Sequence, residues 1–173
     1  MTPLIWSKAG RETPMKLVPV KLAQVKFSQD DTAVLVAYSL GSCVGVAMWD
    51  HEFRAGGMAH VFLPHKLRDA QESLGKYGET AIPYLISGLL DMGCKRENLQ
   101  AWIAGGANVI PGLCSPLGDI GAMNVRAVRE ALKAAGIPVA GEDLGGSHSR
   151  TMRLYIGSGK VTVCSPDAVA NEI

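Results

Sequence analysis

Two residues of this chain, Cys43 and His60, have the types and the spacing to perform nucleophilic catalysis. A cysteine thiol becomes a strong nucleophile when an adjacent base draws its proton, and histidine is the usual base. Cys43 closes the segment Leu40-Gly41-Ser42-Cys43, and an apolar run from Val44 to Trp49 follows it. After Asp50-His51-Glu52-Phe53-Arg54 comes a second small, apolar run, Ala55 to Leu63. An antiparallel hairpin centred between His51 and Glu52 sets His60 directly opposite Cys43, with Cβ atoms about 4.5–5.5 Å apart. That pairing is a candidate Cys/His hydrolytic dyad. A loop of two or four residues gives the same pairing, whereas an odd loop turns His60 to the other face. His51-Glu52 is poor chemistry for a tight primed turn, so a four-residue loop, Asp50 to Phe53, is expected. A plainer reading stands beside this one: a buried structural cysteine and a histidine satisfied by backbone.

Other residues that could do chemistry form weaker patterns. Gly157-Ser158-Gly159-Lys160 has the small residues and lysine of a phosphate loop, but Leu154 holds the required upstream glycine position and no helix follows. A hairpin turn is the expected structure there. Gly105-Gly106 reads as a strand-end turn, with anion cradling as the alternative. The histidines lie at 51, 60, 65 and 148 and show no metal-ligand spacing. His148, in a glycine-rich polar loop, is a rival base. Glu142 and Asp143 either line a cleft or belong to a solvated loop.

The composition limits what these residues can serve. With 173 residues, 47% apolar and 19% charged, the chain can bury one substantial core and is globular in type. Its formal net charge is +1, with charges of both signs scattered, so a nucleic-acid footprint is not expected. The uncharged stretches Thr32–Trp49 and Ala101–Gly118 are too rich in glycine, proline and hydroxyl residues to be membrane helices. Cys43, Cys94, Cys114 and Cys164 lack zinc-ribbon or thioredoxin-like spacing. No signal peptide is seen at the amino terminus, so reduced thiols in the cytoplasm are expected.

The elements that must position the dyad read as a mixed α/β order. Residues 1–20 are expected to form a loosely held extension, and 21–173 a single domain. Strands are expected over Lys21–Phe27 and Ala33–Tyr38, followed by the hairpin and a polar loop from Pro64 to Gly78. Ile82, Leu85, Ile86, Leu89 and Leu90 repeat with helical period, starting near Thr80 with Pro83 in the first turn and stopping at Gly93. Leu99–Ala104 reads as a strand, Ala107–Gly121 as an irregular loop, and Asn124–Ala135 as a helix ended by Gly136. Val139 begins a strand, Gly141–Arg150 is expected to be a polar loop, and Thr151–Cys164 a hairpin turning at Gly157–Gly159.

The chain also resembles a known family. Leu40-Gly41-Ser42-Cys43-Val44-Gly45-Val46 and Gly57-Met58-Ala59-His60-Val61-Phe62-Leu63-Pro64 are similar to the signature of CheD, the chemoreceptor glutamine deamidases. The likeness continues through Gly75-Lys76-Tyr77, Ile103-Ala104-Gly105-Gly106-Ala107, Ile120-Gly121 with Asn124-Val125, and Gly136-Ile137. It closes with Gly141-Glu142-Asp143-Leu144-Gly145-Gly146 and Arg150, so that it covers roughly Lys21 to Val163 in matching order.

The resemblance implies mixed β-sheets packed as a sandwich with flanking helices, similar to bacterial toxin deamidases. It implies Cys43 as nucleophile and His60 as base in hydrolysing selected glutamine side chains of methyl-accepting chemotaxis receptors. No cofactor or metal is implied. Implied partners are those receptors, through which alone the protein would meet a membrane, and a CheC-type phosphatase. The backbone N–H groups around Ser42 and Cys43 are plausible oxyanion donors, with Gly41 allowing close approach. One position departs from the pattern. The family's third catalytic residue is a threonine six before the nucleophile, where this chain has Ala37. Ser39, expected on the same strand face, could replace it or be an ordinary strand-end serine. Ala37 also supports a second reading, a deamidase-fold binding module that regulates a CheC-type phosphatase or a receptor. A redox-sensing thiol is a third, disfavoured because no resolving cysteine lies nearby.

Overall fold

The strand at Val44–Asp50 is apolar on both faces, so it needs a covering layer on each side. Those layers are present in the computed structural model of the protein, which describes residues 4–6, 12–66, 73–110 and 118–173. In chain order the strands begin with β1 (Leu4–Trp6), β2 (Glu12–Pro14), β3 (Lys16–Pro19), β4 (Val25–Ser28) and β5 (Ala33–Leu40). Next come β6 (Val44–Asp50), β7 (Ala55–Val61), helix α1 (Gly78–Met92), β8 (Leu99–Gly105) and helix α2 (Ile120–Ala135). The last four strands are β9 (Val139–Leu144), β10 (Arg150–Tyr155), β11 (Val161–Cys164) and β12 (Asn171–Glu172). One five-stranded sheet has the order β4-β7-β6-β8-β9, a second has β12-β11-β10-β5-β3, and β1 pairs with β2. Each large sheet contains one parallel pair, β8 with β9 and β3 with β5. The expected sandwich of mixed sheets with flanking helices is therefore the architecture found.

Two cores hold the layers together. Val44, Val46 and Met48 of β6, with Ala59 and Val61 of β7, pack against Ile82, Leu85 and Leu89 of α1 and Val128 and Leu132 of α2. From the opposite face, Ala47, Met58, Trp102 and Ala104 meet Leu35, Ala37, Leu40, Met152 and Leu154 of the second sheet. Removing a fully buried leucine such as Leu35 from such a core typically costs about 2–5 kcal/mol.

The chain crosses between the sheets four times. Residues 20–24 join β3 to β4, 29–32 join β4 to β5, Gly41–Cys43 join β5 to β6, and 145–149 join β9 to β10. The last two meet at one end, because β6 and β8 pair Val44 with Gly105 while β8 and β9 pair Gly105 with Leu144. The first joins them there, since Ala23 donates to the carbonyl of His60 near the end of β7.

Several expectations need correction. Residues 16–20 are not part of a loose extension. Lys16–Pro19 pairs with Ala33–Val36, and Met15 and Val20 are buried. Helix α1 begins two residues earlier than expected, so Pro83 lies beyond the first turn, inside the helix. Helix α2 starts at Ile120, four residues early, because the Asp119 side chain caps it by accepting from the Ala122 N–H at 3.0 Å. Gly141–Leu144 is the end of a paired edge strand rather than loop. Gly93 and Gly136 stop the two helices as expected. Arg68, Asp69, Gln71 and Glu72 of the first expected loop, and Pro111, Cys114 and Pro116 of the second, lie outside the described residues.

Candidate active site

The hairpin expected between Cys43 and His60 exists, with its turn one residue further along. Asp50 pairs with Ala55, so the loop is His51–Arg54, and His60 faces Gly45 instead of Cys43. Asp50 causes this. Its carboxylate accepts from the N–H groups of Glu52 and Phe53 at 2.9 Å and of Lys95 at 2.8 Å, and its carbonyl accepts from Arg54 N–H. Arg54, at φ 56°, then turns the chain back. The pairing is thereby displaced by two residues, an even number, so His60 keeps its face and lies diagonal to Cys43. Both residues line one cleft of about 360 Å³, together with Pro19, Val20, Lys21, Leu22, Tyr38 and Ser39.

His60 is held from three sides by the crossing at residues 20–24. Its N–H donates to Gln24 and its carbonyl accepts from Ala23, both at 3.0 Å. Its ring Nδ1 lies 3.1 Å from the carbonyl oxygen of Val20. A carbonyl can only accept, so Nδ1 carries the hydrogen and Nε2 keeps its lone pair. Nε2 is buried and has no hydrogen-bond partner among the described residues. Burial lowers the imidazole pKa below its ordinary value, and the Val20 hydrogen bond opposes that shift.

Cys43 sits in a loop whose carbonyls are all tied from behind. Ala107 N–H donates to Gly41 at 2.7 Å, Asn124 Nδ2 to Ser42 at 2.8 Å, and Gly106 N–H to Cys43 at 2.8 Å. Gly105 permits the last contact. It has φ 114°, and a Cβ there would collide with the Cys43 carbonyl oxygen. The N–H groups of Ser42 and Cys43 donate to no other residue among those described. Burial raises the Cys43 thiol pKa, and the residue's own N–H lowers it by a smaller amount. Both shifts favour the neutral forms, thiol and imidazole, over an ion pair.

Ala37 and Ser39 do not share a face. Ala37 pairs with Met152, but Leu40 pairs with Arg150, so β5 contains a bulge at Tyr38-Ser39. Ser39 is exposed with φ 55°, and Leu40 takes the inward place that regular alternation would have given it. Ser39 is among the residues lining the Cys43 cleft, and its hydroxyl makes no hydrogen bond among the described residues. Ala37 is fully buried between the sheets.

The remaining candidates lie elsewhere. His148 is exposed beside Ser147, 3.2 Å from its hydroxyl, and does not line the cleft. Glu142 accepts from Arg129 at 2.7 and 2.8 Å, and Asp143 lies 3.2 Å from Arg150. Gly157–Gly159 lies in the tip of the β10–β11 hairpin. Burial, with Asp50 nearby, pushes the Cys94 thiol up to about 11, which makes it inert. Among the described residues no group of three or more His, Cys, Asp or Glu side chains could hold a metal. A larger groove of about 850 Å³ runs between α1 and α2, remote from Cys43 and without a cysteine. Spacing alone missed the Val20 carbonyl and the Asn124 amide; only Asn124 carried a signal, a polar residue on the apolar face of its helix.

Similarity to known proteins extends over most of the chain. Residues 62–165 match the family described as CheD chemotactic sensory transduction, a span that begins two residues after His60. A protein of Geobacter metallireducens named probable chemoreceptor glutamine deamidase CheD 2 is 41% identical over 86% of this chain and 93% of its own. One of Symbiobacterium thermophilum, named probable chemoreceptor glutamine deamidase CheD, is 41% identical over 86% of this chain and 92% of its own. One of Anaeromyxobacter dehalogenans, also named CheD 2, is 40% identical over 90% and 99%. Among solved structures, the hypothetical protein YfiH of Bacillus licheniformis aligns with TM-score 0.46 at 14% identity, covering 71% of this chain and 49% of that one. No helix among the described residues is long and apolar enough to cross a membrane.

Proposed function

This chain belongs to the CheD family, and on that premise we propose that it is a protein-glutamine glutaminase acting on methyl-accepting chemotaxis receptors. The observation that carries the mechanism is the orientation of His60. With Nδ1–H on Val20, Nε2 is left unpartnered, and His60 lines the same cleft as Cys43. Nε2 takes the thiol proton as Sγ attacks the glutamine Cδ, and the tetrahedral oxyanion forms against the N–H groups of Ser42 and Cys43. Each such donor is typically worth roughly 3–4 kcal/mol. The imidazolium returns its proton to the departing ammonia, leaving a thioester. A water activated by Nε2 then releases glutamate and free thiol.

Burial favours the neutral form of both groups, which suits proton transfer coupled to attack rather than a resting thiolate. The Val20 carbonyl does the orienting work of a third catalytic side chain, which accounts for tolerance of Ala37. Residues 21–173 together with β3 form one deamidase-like domain on this reading. The same reading puts the protein in the cytoplasm, with a CheC-type phosphatase as second partner. Mass spectrometry of a receptor cytoplasmic fragment tests it: glutamines should gain the mass of amide-to-acid conversion, and only with Cys43 intact. A binding module is the second reading, favoured by Ala37 alone. An unmodified receptor that still binds the protein would select it.

A further inference from the structure

Asn124 touches both arms of the proposed dyad. It lies on the buried face of α2, where Gly121, Val128 and Leu132 pack, and it is 0% exposed. Its Nδ2 donates to the carbonyl of Ser42 at 2.8 Å and to that of Phe62 at 3.0 Å. Its Oδ1 is buried without a partner among the described residues. An orphaned buried acceptor is unfavourable, so helix packing alone would be better served by an apolar residue at this place. The reason for a carboxamide must lie in what Nδ2 holds.

What it holds is the peptide unit that precedes the nucleophile. Ser42 C=O and Cys43 N–H belong to one trans peptide and point in opposite directions. With the carbonyl fixed toward α2, the Cys43 N–H must point away from α2, on the side where it meets its own sulfur. The second bond fixes Phe62, two residues beyond His60, at the end of the base's strand. One amide thus sets the aim of an oxyanion donor and the spacing between the loop of Cys43 and the strand of His60.

We propose that Asn124 is a positioning residue for glutamine hydrolysis, acting through the Ser42 and Phe62 carbonyls and never touching substrate. The inference rests on the deamidase reading for its catalytic consequence, but the tether itself can be read without substrate. The test compares wild type, Asn124→Ala and Asn124→Leu by receptor deamidation, by iodoacetamide alkylation of Cys43 across pH, and by thermal melting. Asn124→Leu suits the apolar helix face and serves where Asn124→Ala fails to fold. Expected are a fall in kcat of roughly 10²-fold at nearly constant KM and an upward move of the alkylation midpoint. A loss of rate that follows melting temperature alone, with the alkylation profile unmoved, overturns the proposal. So does wild-type kcat in a folded variant. If wild type leaves receptors unmodified while the variants still shift the alkylation profile, the tether stands and the deamidase reading fails.

Discussion

His60 Nδ1 lies 3.1 Å from the carbonyl oxygen of Val20, and this single contact decides which imidazole nitrogen is free. A backbone carbonyl cannot be removed by substitution at its own position, so a tautomer fixed this way is insensitive to the side chains around it. On the proposed mechanism, orientation of His60 by main chain explains how the site keeps its geometry with Ala37 six residues before Cys43.

Replacing the sulfur should end the reaction. Cys43→Ala is expected to abolish glutamine conversion while the melting curve stays near wild type, since alanine suits the surrounding core. Continued mass gain on receptor glutamines with the variant would remove Cys43 from the nucleophile's role.

His60→Ala should lower kcat by roughly 10²–10⁴-fold, the usual contribution of a positioned base. His148→Ala should leave kcat unchanged, because that imidazole is exposed and outside the cleft. Steady-state kinetics of both variants distinguish the two histidines.

Ser39→Ala should keep the wild-type rate, since no bond from its hydroxyl reaches His60. Ser39→Gly should leave stability the same or raise it by up to about 1 kcal/mol, by relieving the left-handed backbone at φ 55°. A large rate loss in Ser39→Ala would reinstate the serine as the orienting group.

Gly105→Ala should cost stability by about 1–3 kcal/mol and lower the rate as well. Its new Cβ would strike the Cys43 carbonyl, which Gly106 otherwise holds at 2.8 Å. Denaturant unfolding and deamidation should change together. A variant destabilised but fully active would uncouple this turn from the nucleophile loop.

The pH dependence of stability should carry the mark of His60. Its pKa is lower in the folded chain than the ordinary 6.5, so between the folded value and 6.5 the unfolded chain binds more protons. This contribution is complete above 6.5 and is lost as pH falls through that window. His60→Gln should flatten the corresponding part of a plot of unfolding free energy against pH. Cys43 alkylation in wild type should need pH above the ordinary thiol range, because burial raises its pKa.

The nearness of Cys43 and His60 was legible in the sequence for a reason that forgave an error. Strand faces repeat every two residues, so a pairing displaced by two still put His60 on the side of Cys43. The bulge at Ser39 was not legible, since serine does not advertise a positive φ as glycine does. Residues 16–20 looked loose because Lys16, Leu17 and Pro19 are exposed on an edge strand, and only the parallel pairing with β5 gives them a place. The Val20 carbonyl has no sequence signature at all, because every residue possesses one. Asn124 was visible as a polar residue within a helical apolar stripe, but its partners at 42 and 62 are remote in the chain.

The crossings between the sheets bear on when the chain becomes chemically competent. Val20, Cys43 and His60 are supplied by the β3–β4 crossing, the β5–β6 crossing and β7, and these two crossings require both sheets to be in place. Such non-local pairings are made late in folding, after local turns and helices. A nascent chain that has formed only the β6–β7 hairpin would own both reactive side chains without a fixed tautomer or an aimed amide. On the proposed mechanism, hydrolytic power would then arrive with the last docking step, which would keep an unfinished chain from attacking amides in itself or its neighbours.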